Sequence, residues 1–193
     1  MAHFPGNNAY EDDSFWYKGL LLPHYDRSGL FQCITYRLAD SIPQSVLREK
    51  MRLTDQNLRR KLIEDILDQG LGSCRLKEER VAQVILKNWR HFEGKRYSII
   101  AYVIMPNHCH ILIDVFEGVD LAQIVQSWKT YTAKGIHSLY PSDDKHVWQL
   151  DYWDRYIRNE SHYLNCIEYI HQNPVKAGLC KQSTDWKFSS ANS

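Results

Sequence analysis

Two histidines separated by a single residue, His108 and His110, are the first side chains in this chain whose types and spacing could do chemistry. In a strand, residues i and i+2 share a face about 6–7 Å apart at the backbone, so two imidazoles placed this way can reach one metal ion. Cys109 between them turns to the opposite face with Ile111 and Ile113, as a small core residue. An isolated His-x-His is more often a pair of half-buried sheet residues. Here it directly follows Pro106-Asn107, at a strand start where side chains can face a substrate, and that favours the ligand reading. Asp114, four residues beyond His110 and on its face, is a candidate partner for that imidazole or else a surface carboxylate.

A second signal lies about 60 residues on. At 100° per residue, Tyr163, Leu164, Ile167 and Ile170 form one apolar helical stripe. Tyr169 stands roughly 150° from its centre, with Asn173 within about 40° of Tyr169. A phenol and an amide thus share a face the core stripe does not use, although Tyr169 could equally pack on a neighbouring element. A phenol with a pKa near ~10 is a poor nucleophile unless a metal or a base assists.

The elements that must position these residues follow from periodicity and turn chemistry. Leu30 to Leu38 has the β-branched and aromatic content of a strand. Ser41 to Pro43 opens a helical region, with apolar helical spacing around Val46–Met51, Leu58–Leu67 and Val81–Phe92 and stops at Gly70, Gly72 and Gly94. Tyr97–Met105 and His108–Val115, joined by Pro106-Asn107, predict an antiparallel hairpin. Asp120 is an N-cap for a helix carrying Leu121, Ile124, Val125 and Trp128 on one face. Trp148–Ile157 predicts a fourth strand, and Asn159 to Gln172 a last helix ending near Asn173-Pro174, because the residue before proline disfavours the helical region. Strand, helices, strand, strand, helix, strand, helix is an α+β order: a ferredoxin-like split βαβ with an antiparallel central sheet and extra helices in the first crossover.

Composition bounds the rest. The 193 residues, 44% hydrophobic and 24% charged with 9 Gly and 6 Pro, fit one globular domain and exclude collagen-like, coiled-coil and disordered chains. Mean hydropathy is −0.50, and the longest apolar run, Ile99 to Met105, is far below the ~20 residues of a membrane span. No secretory signal pattern opens the chain. Five cysteines without C-x-x-C pairing suit buried thiols in a reducing compartment, so a cytoplasmic protein with no membrane contact is expected. Net charge is only +1, but Leu121–Ser142 holds no carboxylate, and residues 75–96 hold seven Lys/Arg against three Glu. Such segregation permits a local phosphate-binding face, though solvated helix faces account for it as well.

YVIMPNHCHILI, then YWDRYIRNE, EYIHQNPVKAGL and DWKFSS follow one another in this chain. In that order they resemble the REP-associated tyrosine transposases, members of the HUH single-strand endonuclease superfamily. The resemblance runs from about Gly29 to Ser190, which implies a domain over 29–190, an unmatched extension over 1–28 and a tail over 191–193. It implies that His108, His110 and Asn173 hold a divalent metal, Mg²⁺ or Mn²⁺, and that Tyr169 is the nucleophile. Asp154, Ile157 and Arg158 match a further family motif, with Arg155 where many relatives have histidine. The implied activity is cleavage and rejoining of single-stranded DNA bearing a REP-like hairpin, through a 5′-phosphotyrosine, by a monomer or homodimer associated with a prokaryotic nucleoid. Lys129, Lys134, Arg158 and Lys176 are the candidate DNA contacts, and Trp128, Tyr131, Trp148, Tyr152 and Trp153 the candidate base-stacking aromatics, with Trp128 the one expected in the core. A hairpin binder that does not cleave, and a metal hydrolase without tyrosine chemistry, are the alternatives. Neutral imidazole being the ligand form, activity is expected to fall as pH drops through ~6.5.

Overall fold

The computed structural model describes residues 4, 16–18, 23–25, 28–50, 52–141 and 146–192. Most of the expected 1–28 extension, Met51 and the last residue of the tail lie outside the described residues. A short pair, β1 (Trp16–Lys18) and β2 (Pro23–Tyr25), precedes β3 (Phe31–Arg37), α1 (Gln44–Lys50), α2 (Gln56–Leu67), α3 (Glu79–His91), β4 (Tyr97–Ile104), β5 (His108–Val115), α4 (Leu121–Leu139), β6 (Trp153–Tyr156) and α5 (Glu160–Lys176).

The main sheet has the order β4-β5-β3-β6 and is antiparallel throughout. This places the second, third, first and fourth strands of the domain side by side, the arrangement a split βαβ unit requires. β5, flanked on both sides and covered on both faces, is the near-continuous apolar run that such burial demands. Its period of two sorts the layers. Cys109, Ile111, Ile113 and Val115 enter the larger core with Ile34 and Tyr36 of β3 and the buried faces of α3 and α4. Leu112 faces the other way, with Phe31, Ala101 and Val103, against Cys166 and Ile170 of α5. The α3/α4 layer is aromatic and internally hydrogen-bonded: Trp128 Nε1 donates to the Tyr97 hydroxyl at 2.9 Å, which donates to the Trp89 carbonyl at 2.6 Å. No helix among the described residues is long and apolar enough to cross a membrane.

Three sequence expectations are corrected. The fourth strand shrinks to Trp153–Tyr156, and Trp148 makes only an isolated bridge to Leu38. The carbonyls of Gln149, Leu150 and Asp151 are occupied instead by the Lys129 ammonium, so this stretch needs no sheet ladder. Second, α5 runs through Pro174 to Lys176. Proline deprives the Ile170 carbonyl of its helical donor, but burial of Asn173 and Pro174 on one face outweighs that loss. The end comes at Gly178, whose φ of +69° suits the left-handed position of a Schellman cap. There Gly178 N–H donates to Val175 O at 2.9 Å and Leu179 N–H to Pro174 O at 2.9 Å. Third, Leu164, expected on the apolar stripe, is 57% exposed; the buried stripe passes through Cys166, Ile170, Asn173 and Pro174.

Candidate active site

His108 and His110 project from the start of β5 toward α5, in register with Arg37 and Thr35 of β3. The turn before them does more than reverse the chain. Asn107 is fully buried, and its Nδ2 donates to the carbonyls of Leu67 (3.2 Å) and Leu71 (3.0 Å) at the end of α2. Its Oδ1 is therefore turned to His108, where Nδ1 donates to it at 2.8 Å, and Nε2 of His108 keeps its lone pair. His110 Nδ1 is hydrogen-bonded to the Thr35 hydroxyl at 2.7 Å, while its Nε2 is buried without a partner among the described residues. Each imidazole is thus oriented through Nδ1, as metal-binding histidines usually are. The two rings lie 4.7 Å apart at 86°. Burial, reinforced by Arg37 and Lys176, pushes His108 down to about 3. Burial likewise holds His110 well below its ordinary value, with His108, Arg60 and Lys176 adding to it. Burial thus favours the neutral form of both rings, the form that can bind a metal, below the ~6.5 of a free imidazole.

α5 brings the other two residues. The Tyr169 ring lies 5.3 Å from that of His110. Asn173, one turn on, is 1% exposed, and neither of its amide atoms has a hydrogen-bond partner among the described residues. A buried primary amide left unpaired costs several kcal/mol at most and about 1–3 typically, so it marks a place where a ligand completes the site. Among the described residues no three His, Cys, Asp or Glu side chains gather as a metal cluster. Two neutral imidazoles with an orphaned amide oxygen nevertheless fit a borderline-hard divalent ion that retains open positions. Burial pushes the Tyr169 phenol well above its ordinary range, and the charge of Glu64 adds to this while Asn173 opposes it. The phenol is therefore held protonated at neutral pH.

Some site residues were not found by sequence reasoning. Glu64 and Arg60 of α2 are joined at 2.9 Å beside Tyr169, and burial raises the Glu64 carboxyl against the pull of Arg60 and Lys176. Their i,i+4 spacing was a visible ion-pair signal, but nothing local says that α2 reaches the nucleophile. Asp114 is replaced as partner of His110 by Thr35, because four strand residues carry it ~13 Å along β5, where it neighbours Phe31 and Ser98.

The basic candidates separate. Lys129 is corrected: it is 8% exposed, and its Nζ donates to three carbonyls at 3.0–3.1 Å, so it holds a loop and offers nothing to DNA. Lys134 is exposed, but on α4, across the sheet from Tyr169. Arg158 lies at the entry to α5, its N–H donating to His162 Nδ1 at 3.3 Å. Lys176 is half exposed and bridges to Asp65 (3.3 Å) and Asp68 (2.8 Å) of α2. Of the aromatics, Trp128 is core as expected, and Trp148 and Tyr152 are core as well. Tyr131 is 48% exposed, and Trp153 lines the cavity beside Tyr169.

Residues 75–173 match the family described as "Transposase IS200 like". A REP-associated tyrosine transposase of Escherichia coli (strain K12) is 34% identical over 93 residues, 48% of this chain and 53% of that protein. A putative REP-associated tyrosine transposase of Haemophilus influenzae is 27% identical over 103 residues, 49% of this chain and 58% of that protein. The matched regions thus span little more than half the length of these curated relatives. A solved structure described as a REP-associated tyrosine transposase bound to a REP hairpin superposes with a TM-score of 0.55 at 24% identity, covering 86% of this chain and 79% of the other. That likeness bears out the α+β fold, and the relatives bear out the family resemblance read from the motifs.

Proposed function

Because the chain belongs to the IS200-like transposase family, we propose that it is a metal-dependent single-stranded DNA endonuclease and strand transferase acting on hairpin-bearing, REP-like repeats. The observation that carries the reading is the Tyr169 ring 5.3 Å from that of His110, whose Nε2 is buried without a hydrogen-bond partner among the described residues, with the Asn173 amide, likewise unsatisfied there, one turn along the same helix. With His108 they would hold Mg²⁺ or Mn²⁺, which when bound supplies Lewis-acid polarisation of a scissile phosphate. Tyr169 Oη attacks phosphorus, a P–O bond to the 3′ oxygen breaks, and a 5′-phosphotyrosine and a free 3′-hydroxyl result. Glu64, which lines the same cavity as the phenol, is the base positioned to take its proton. Attack by a 3′-hydroxyl on the phosphotyrosine reverses the bond exchange and rejoins strands without ATP, since the phosphodiester energy is kept in the covalent intermediate.

The test is a labelled single strand bearing a hairpin, incubated with protein and Mn²⁺ and resolved on a denaturing gel. A protein–DNA adduct is expected with the wild type and none with Tyr169→Phe, at nearly unchanged hairpin affinity. Tyr163→Phe, altered on the core-facing side of the same helix, should retain the adduct. Cleavage by Tyr169→Phe, or hairpin binding with no adduct from the wild type, overturns the reading in favour of a hydrolase or a non-cleaving binder respectively.

A further inference from the structure

All five cysteines are free thiols, and two of them meet. Cys33 of β3 and Cys166 of α5 line one cavity together with Tyr169, and Cys33 packs against the apolar layer that holds Cys166. Their thiols are hydrogen-bonded to each other. The other three are placed elsewhere: Cys109 in the larger core on the opposite face of the sheet, Cys74 donating to the Gly70 carbonyl at 3.0 Å, and Cys180 past the end of α5. The paired thiols are not equivalent. Cys33 is partly exposed, and β6 lays Arg155 directly opposite it across the strand pair. The hydrogen bond with Cys166 holds the Cys33 thiol below its ordinary range, and Arg60 and Arg155 add to this against burial and Glu64. Cys166 is buried, and its hydrogen bond with Cys33 together with burial pushes it up. A partly exposed thiol beside guanidinium groups, with a second thiol in contact, is the arrangement of an attacking and a resolving cysteine.

We infer that Cys33 and Cys166 close a reversible disulfide when the protein meets hydrogen peroxide, and that this bond shuts the Tyr169 site. The Cys33 thiolate attacks one peroxide oxygen, the O–O bond breaks, and the hydroxide released takes up the proton that Cys33 gave up, forming water. The Cys166 sulfur then attacks the Cys33 sulfenic acid, the S–O bond breaks, and the hydroxyl leaves with the Cys166 proton as a second water. Each sulfur loses one electron, and the peroxide gains both. A dithiol reductant reverses the bond by thiol–disulfide exchange. The cavity, about 210 Å³, admits the oxidant, since one water takes a share of only ~30 Å³. Thr35, two residues beyond Cys33 on the same face of β3, holds His110, and Tyr169 lies one turn beyond Cys166. The disulfide therefore ties the strand that orients His110 to the helix that carries the phenol, at a shorter separation than two thiols in contact adopt. A misplacement of ~1 Å at a reacting atom costs ~10²-fold. The loss of activity rests on the proposed function; the disulfide does not.

The test has two readouts. Reduced wild-type protein is treated with equimolar hydrogen peroxide, alkylated and digested without reductant, and its peptides are mapped by mass spectrometry. The Cys33 and Cys166 peptides should appear joined, lighter by two hydrogens than their sum, and separate on adding dithiothreitol. After peroxide is removed, adduct formation on the hairpin strand with Mn²⁺ should be about a hundred-fold slower than in the reduced protein and recover with dithiothreitol. Cys33→Ser should lose this sensitivity whatever its basal rate, and Cys180→Ser should keep it. Peptides that stay separate, or Cys33 carrying added oxygen while Cys166 is alkylated, overturn the disulfide and leave the proposed function intact. A joined pair with an unchanged adduct rate overturns the switch. A reduced wild type that forms no adduct sinks the proposed function and the switch with it, while the mapping still decides the disulfide.

Discussion

Lys129→Met separates a structural lysine from a DNA contact. The methionine keeps the length and apolar stem of the side chain and removes only the ammonium. That group donates to Gln149 O (3.0 Å), Leu150 O (3.0 Å) and Asp151 O (3.1 Å). Leu150 is 70% exposed and Gln149 partly so, hence their carbonyls can take up water when the donor leaves. Asp151 is buried, and its carbonyl loses this donor at a cost of ~1–3 kcal/mol. With ~1 kcal/mol for the two exchanged bonds, the loss is about 2–4 kcal/mol. In a chain of this size each kcal/mol lowers the melting temperature by ~2–4 °C, so a fall on the order of 10 °C is expected. Urea unfolding and hairpin affinity are measured on the same preparations, with the exposed Lys134→Met as control, expected within ~0.5 kcal/mol of wild type. An unchanged urea midpoint combined with weaker binding to every hairpin would refute this account and restore Lys129 to the DNA face.

His108→Ala and His110→Ala should each abolish Mn²⁺ binding in calorimetry, with Asn173→Ala giving a smaller loss because an amide oxygen is the weaker ligand. Since both imidazoles are held far below their ordinary range, adduct formation should survive well below pH 6.5; a titration centred there would show that the rings are solvated instead. Burial alone would lower the His24 pKa, but hydrogen bonds and charge from Asp151 and Asp154 raise it to about 9. The folded state then binds more protons than the unfolded one above pH 6.5. The stability is fully present below that pH and is lost as pH rises through 9, by on the order of 3 kcal/mol, and denaturant midpoints of His24→Gln should lack this slope. Gly72→Ala should cost more than Gly178→Ala in unfolding experiments. A Cβ at Gly72 meets the Asp40 carbonyl oxygen at 2.5 Å, whereas one at Gly178 meets nothing within 4 Å and incurs only the left-handed strain, ~1 kcal/mol.

The β4–β5 hairpin, the shared face of His108 and His110, the Asp120 cap and the start of the last helix near Asn159 were all readable along the chain. Each depends on residues within a few positions of one another: alternation by two, a Pro-Asn turn, a side-chain oxygen accepting from the N–H three residues on. The family motifs lie on these same local elements. Lys129, Glu64 and the end of α5 were not readable, because their roles depend on what packs against them from far away in sequence. Lys129 sits on a helix face that looks solvated until the 149–151 segment folds over it. Glu64 and Arg60 reach Tyr169 across more than a hundred residues, and Pro174 stays in the helix on a face that is buried in the fold. Local propensities are worth at most a few kcal/mol, and burial against a distant layer is worth as much or more. Residues with local partners therefore showed their places in the sequence, and those whose partners arrive from another layer were assigned only when the layers closed.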